Sequence, residues 1–364
     1  MENKTKLLAP IINQFTIKAP VLEVKPLGNG LINDTYLVKL EGFKEPSYVL
    51  QRINHEVFKD VELLQHNIEV VTNHIRRKLI DQGEKDINRK VLHFLEAKGG
   101  KTYYFDGKSY WRLMDYISDT VTYNNVTPEY AEYTGAAFGS FQAMLIDVKE
   151  TLGETIPNFH TMSFRLKQLQ EAVETDVKGR MKEVKPLVDD LMSRSEWMCQ
   201  AETYLKEGTL KKRICHCDTK LNNILFDKNG QVLCIIDLDT LMPGFIGSDV
   251  GDFLRTAAST SNENDKEYEN VSFKMDIYKP FVRGYLSKAS FLTDLEISLI
   301  PFSACLFPYM QAVRFLTDYI NGDTYYKIQY PEQNMVRTRN QIKLWKSVEE
   351  HLPAMKAFID EIRK

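Results

Sequence analysis

Up to about Ile53 the chain alternates apolar and polar residues in short runs. FTIKAPVLEVKPL and TYLVKLEG flank a glycine-containing turn and PSYVLQRI follows, so this part is predicted to be strand. From Phe58 to Lys78 the apolar spacing widens to that of a helix, through Val61, Leu64, Ile68, Val71 and Ile75. VLHFLEA and YWRLMDYI predict two further strands around KGGKTYYFDGK, with Phe105-Asp106-Gly107 as a turn. After Asp119 the pattern is helical. Thr127 stands as a cap, Pro128 in the first turn and Glu129 beside it. Further helices are expected near 163–177, 181–206 and 272–287, one from the capping box TDLE at Thr293, and a last one near 337–361. The expected class is α+β. A small antiparallel strand lobe spans residues 1–115, a large mainly helical lobe spans 116–364, and a hinge lies near Met114 to Ile117.

Composition narrows the function. The chain has 364 residues, 43% of them hydrophobic, enough for two lobes with real cores. A net charge of -3 offers no electrostatic case for nucleic acid or an anionic membrane. The segment Ile297 to Val313 carries no charge, but Pro301 and Pro308 interrupt it, which predicts a buried core helix with a proline break. The N-terminus MENKTKLLAPIINQF has no signal-peptide pattern, and five cysteines form no disulfide framework. A reducing, cytoplasmic setting and a monomer are expected.

The chemistry concentrates in ICHCDTKLNNILFDKNGQVLCIIDLDT, residues 214–240. Asp218 and Asn223 are five apart, and Asp237 ends the apolar strand VLCIID. This is the order of the protein-kinase catalytic loop and its later metal-binding aspartate. Phosphoryl transfer needs one carboxylate to orient a hydroxyl and take its proton. It also needs oxygen ligands for magnesium. Asp239 follows Asp237 by two, so an extended backbone would turn both to one side. Asp239 is then a second magnesium ligand or a substrate or structural contact. His216 is expected to brace the loop. A zinc site at Cys215-His216-Cys217 lacks the paired ligand spacing such sites use.

Upstream, Gly28 and Gly30 in PLGNGLINDTYLV suggest a turn laid over nucleotide phosphates, with Asn33 where a kinase loop has its third glycine and Thr35 just beyond. Where a kinase strand carries its phosphate-binding lysine, strand alternation places the neutral Gln51, with Arg52 on the other face.

HCDTKLNNILFD followed by IIDLDTLMPGFIGSDVGDFLR resembles the aminoglycoside phosphotransferase and choline kinase superfamily, which has a bilobal protein-kinase-like fold. DTKLNN, IDLDT-x-MPG and RFLTDYINGD resemble the bacterial N-acetylhexosamine 1-kinases more closely. The resemblance implies ATP-dependent transfer to the anomeric hydroxyl of N-acetylglucosamine or N-acetylgalactosamine, with Mg2+. It also implies Asp218 as base, Asn223 and Asp237 as metal ligands, and Asp249 as a brace of the catalytic loop. Asp249 can equally cap a helix.

A sugar pocket needs aromatic faces and planar hydrogen-bonding groups, which Arg314, Asp318, Tyr319, Tyr325, Tyr326 and Trp345 offer. The resemblance to the sugar kinases implies Arg314, Tyr325 and Trp345 as the pocket candidates, with Tyr116 and Ile117 at the adenine. Two rival readings remain: a kinase of another small alcohol (an aminoglycoside, choline or homoserine) and a nucleotide-binding pseudokinase. A sulfatase reading fails because C-x-P-x-R is absent.

Overall fold

Five strands run antiparallel in the order β1 (Val21–Pro26), β2 (Asp34–Leu40), β3 (Tyr48–Ile53), β5 (Tyr110–Asp115) and β4 (Tyr104–Phe105). The computed structural model describes residues 2–28 and 32–364. Gly30, one of the two loop glycines, lies outside them.

Contacts divide the chain into two units. The first comprises Met1–Tyr123, Met144–Pro157 and Asn222–Met242, and the second Asn124–Ala143, Asn158–Leu221 and Pro243–Lys364.

The sheet of the first unit has two occupied faces. Val38, Leu40, Leu50 and Leu113 on one face pack with Leu8 and Ile12 of the helix Glu2–Ile12 and with Phe15. That helix falls where only strands were expected. The opposite face carries Gln51 and Arg112, paired in register, and Arg112 reaches Gln65 of the helix Val61–Asp81. This helix matches the predicted spacing, and Asp60 caps it through the Leu63 N–H. VLHFLEA is not a strand. It makes two isolated bridges, Phe94 with Met114 and Ala97 with Phe15. Pairing on both sides of a short segment holds it extended without a continuous ladder. A hairpin of Ile224–Phe226 and Val232–Ile235 completes this unit.

The second unit is built on the helices Ile300–Ile320 and Gln333–Ile362. The apolar segment around Pro301 and Pro308 is the buried helix the sequence suggested, but Pro308 does not break it. The interruption comes at Leu299, and Pro301 then sits in the first turn, where a missing N–H costs nothing. The Thr293 capping box forms as predicted, and its Glu296 also receives Arg213 Nε at 2.7 Å. The expected helix over 181–206 is divided into Met181–Met192, Ser195–Met198 and Gln200–Glu207. No described helix is long and apolar enough to cross a membrane.

Candidate active site

In the helical unit, His216 is fully buried with its ring edge-on to Phe138 and Phe141. Its Nδ1 lies 3.3 Å from the Asp218 N–H. Cys217 holds a left-handed backbone, φ 62°, which costs a non-glycine residue energy and turns the chain just before Asp218.

Two buried carboxylates on the helix Gly247–Ala257 hold that turn. Asp249 Oδ1 accepts the Cys217 N–H at 2.9 Å, and its Oδ2 accepts Gln142 Nε2 at 2.6 Å. Asp252 Oδ2 accepts the Thr219 N–H at 2.8 Å. Asp249 is thus engaged as a brace of this loop. Asp252, within GDFLR, is a second brace that the sequence reading missed.

Burial pushes the Asp252 carboxyl up to about 6, and the charge of Asp218 adds to the rise. Burial also raises Asp249, which the Cys217 N–H, His216 and Gln142 partly offset. Asp218 is partly exposed and ion-paired with Lys220. Burial pulls the Lys220 ammonium down, but the charges of Asp218 and Asp252 outweigh it and the net shift is upward.

In the strand unit, Asn223 closes a short 3-10 turn, and its carbonyl accepts the Ile236 N–H at 2.9 Å. Ile224 pairs with Ile235, so Asn223 and Asp237 stand at the same open end of the hairpin. Both offer oxygen donors, the kind a hard divalent cation takes. Among the described residues no group of three or more His, Cys, Asp or Glu could hold a metal. A cation here would therefore need oxygens beyond these side chains, as magnesium ordinarily takes from phosphates and water.

Asp237 and Asp239 do not share a side. Asp237 has φ 62° and begins a 3-10 turn over Leu238–Thr240, which breaks strand alternation. Asp237 is exposed and Asp239 buried. Asp239 Oδ1 pairs with Arg112 Nη1 at 2.6 Å, and Asp239 Oδ2 accepts Asn33 Nδ2 at 2.6 Å. Of the two roles left open for Asp239, this engagement favours the structural contact.

Asn33 is likewise committed to protein: its Oδ1 accepts the Asn54 N–H at 2.9 Å. Gly28 has φ 65° on the exposed turn, a conformation glycine adopts freely. Gln51 Nε2 donates to Thr35 Oγ1 at 3.1 Å, and Gln51 Oε1 accepts Arg112 Nη2 at 2.7 Å. Arg112 is only 2% exposed and joins Gln51, Gln65 and Asp239. A buried cation beside Gln51 thus comes from the neighbouring strand. Its sequence signal was an arginine in the apolar run YWRLMDYI. Arg52 pairs with Asp34 instead. Tyr116 donates its N–H to Ser47 at 3.0 Å, and Ile117 is buried beside it in sequence.

Of the three pocket candidates, Arg314 and Tyr325 share a neighbour, Tyr326. Arg314 lies over the ring of Tyr326, which Tyr325 meets edge-on. Tyr325 is 72% exposed. Trp345 does not join them. At 1% exposure, with its ring edge-on to Tyr309, it is core packing between the two long helices.

The helical remainder and the five-stranded antiparallel sheet define an α+β protein of the protein-kinase-like class. Solved structures agree. The chain is similar to an aminoglycoside phosphotransferase from Alicyclobacillus acidocaldarius at TM-score 0.63 and 14% identity, over 96% of this chain and 95% of that one. It is similar to a choline kinase from Cryptosporidium parvum at TM-score 0.59 and 14% identity, over 98% and 99%. A spectinomycin phosphotransferase solved with ADP and spectinomycin gives TM-score 0.55 and 12% identity, over 96% and 98%. The profile of the APH phosphotransferase enzyme family matches residues 23–281, and the chain belongs to that family.

Proposed function

We propose that the chain is a small-molecule kinase that transfers the γ-phosphate of ATP to the anomeric hydroxyl of an N-acetylhexosamine, giving the sugar 1-phosphate. Asp218 would take the proton of that hydroxyl, whose oxygen attacks the γ-phosphorus while the bond to the β-phosphate oxygen breaks and ADP leaves. Residues 1–115 would serve the nucleotide, with Gly28 at the phosphates and Tyr116 and Ile117 at the adenine, and residues 116–364 catalysis and acceptor. Asn223 and Asp237 would hold magnesium, which when bound offsets phosphate charge.

The observation that carries this reading is the bracing of the Asp218 turn by two buried carboxylates, Asp249 and Asp252. Buried carboxylates spent on loop N–H groups are costly, and they keep a base in one geometry. The choice of sugar rests on the motifs around DTKLNN and RFLTDYINGD. A kinase of another small alcohol is the second reading, because choline and aminoglycoside kinases share the fold.

The test is a panel of acceptors with magnesium and ATP, scored by ADP release and phosphorus NMR. A sugar 1-phosphate signal from N-acetylglucosamine or N-acetylgalactosamine supports the proposal. ADP release with amines or plain hexoses alone moves the acceptor to the second reading. ATP binding with no ADP release from any acceptor makes the chain a nucleotide-binding pseudokinase.

A further inference from the structure

A second cluster in the helical unit joins the pocket candidate Arg314 to buried groups that the site above does not use. His160 stacks on Phe159 with ring centres 4.3 Å apart and meets Phe307 edge-on at 4.8 Å. Arg314 lies over the Phe159 ring as well as that of Tyr326. Arg165 donates Nη2 to the Phe159 carbonyl at 3.0 Å and Nη1 to Gln168 Oε1 at 2.9 Å. Arg314 Nη1 donates to Gln311 Oε1 at 3.1 Å. All these partners are neutral. Among the described residues no carboxylate forms an ion pair with Arg165 or Arg314, whereas Arg255 has Glu263 at 3.1 Å. Two buried atoms of this cluster have no hydrogen-bond partner: Nδ1 of His160 and Nε of Arg165.

Uncompensated guanidinium groups beside unpaired buried nitrogens are expensive to keep, and such sites are enriched for function. Burial, then the charges of Arg314, Arg165 and Arg255, push His160 down to about 3. Burial and the charge of Arg314 push Arg165 down to about 10. Phe307, which His160 meets edge-on, lies against Gly251 of the helix that carries Asp249 and Asp252. Arg255, whose charge acts on His160, also acts on Asp252 and Lys220, which flank Asp218.

We propose that Arg165, Arg314 and His160 form an oxyanion subsite of the acceptor pocket, so that the acceptor carries a carboxylate, sulfate or phosphate group besides the hydroxyl that is phosphorylated. Arginine matches such groups by paired charge-assisted hydrogen bonds, and a neutral imidazole can donate one more. A cationic acceptor, an aminoglycoside or choline, is disfavoured here by like charge. The proposal rests on the kinase reading, of which it narrows the acceptor.

The test has a binding arm and a turnover arm. In the first, inorganic sulfate is titrated by calorimetry into wild type, Arg165→Gln, Arg314→Gln and the charge-retaining Arg165→Lys, each checked for folding by circular dichroism. Sulfate should bind wild type and Arg165→Lys, and bind roughly tenfold to a hundredfold more weakly to the two Gln variants. In the second, N-acetylglucosamine is compared with its 6-sulfate and 6-phosphate esters and with glucuronate. At least one anionic acceptor should show a KM about tenfold or more below its neutral counterpart, lost in Arg314→Gln. Inorganic sulfate should compete with the acceptor and not with ATP. Equal or better turnover of the neutral sugar, with sulfate binding unchanged in the Gln variants, overturns the subsite and leaves the kinase standing. Arginine-dependent sulfate binding without ADP release from any acceptor keeps the anion site and overturns the kinase reading.

Discussion

Asp218 stands on a turn whose geometry is set by other residues, so its chemistry can be removed without removing its support. Asp218→Asn should lower kcat by about 10²–10⁴-fold, the usual worth of a general base, and leave the Kd for ATP nearly unchanged. Turnover near wild type would refute the base. Arg112 is the opposite case, a side chain whose loss is felt in the fold. Arg112→Met strips the buried Asp239 of its cation and should cost roughly 3–5 kcal/mol in chemical unfolding. Arg112→Met combined with Asp239→Asn should cost less than Arg112→Met alone, because no buried charge is then uncompensated. Asp252 makes stability depend on pH. Its folded pKa lies above the ordinary 3.8, at about 6, so the folded state binds the proton more tightly. The stabilisation is fully present below pH 3.8 and is lost as pH rises through about 6. Relative to Asp252→Asn, wild type should therefore lose stability between pH 4 and 7 in urea melts. A flat difference would show that the carboxyl titrates alike in both states. At this scale Asp218, Asn223 and Asp237 could be singled out as candidates, because they follow one another at short spacing along one loop and strand, whereas Asp249 was singled out by the resemblance and lies on a helix. Arg112 and Asp252 were not, since their partners lie tens of residues away, and nothing local joined Arg165 and His160 to Arg314.

Among elements, periodicity served best where one face of a helix is buried and the other solvated. Val61–Asp81 and Met162–Thr175 fall close to their predicted positions. It failed for Glu2–Ile12, which is short, carries Pro10 and has a small apolar face. One contact between helices leaves no room for a side chain. A Cβ on Gly284 would lie 2.1 Å from the Glu132 carbonyl oxygen, and one on Gly135 2.1 Å from that of Phe281. The helices Pro128–Leu145 and Met275–Lys288 thus meet backbone to backbone. Alanine would ordinarily stabilise a helix over glycine by up to about 1 kcal/mol. Gly284→Ala should instead destabilise by about 1–3 kcal/mol, because neither backbone can yield locally. An unchanged or raised Tm would mean that the helices move apart freely.

For the molecule as a whole, the proposed nucleotide site should couple ligand to stability. At magnesium–ATP about 100 times its Kd, mass action adds about 2.7 kcal/mol, so Tm should rise. EDTA should remove most of that rise if Asn223 and Asp237 hold the metal, and Asp237→Asn should reduce it in the presence of magnesium. A Tm indifferent to magnesium would remove the metal role.

The sequence by itself determined the α+β class, the catalytic-loop motif and the family resemblance, because each is written in short-range spacing and burial pattern. Tertiary structure decided what distant polar residues do. It turned Asp239 from Asp237 by a left-handed residue, set Arg112 between Gln51 and Asp239, buried Trp345 in packing, and gathered Arg165, Arg314 and His160 with no ion-paired carboxylate among the described residues. For Asp239 and Arg112 the physical reason is the same. A buried polar group is defined by the partner that satisfies it, and that partner is brought by the fold and not by the neighbouring chain.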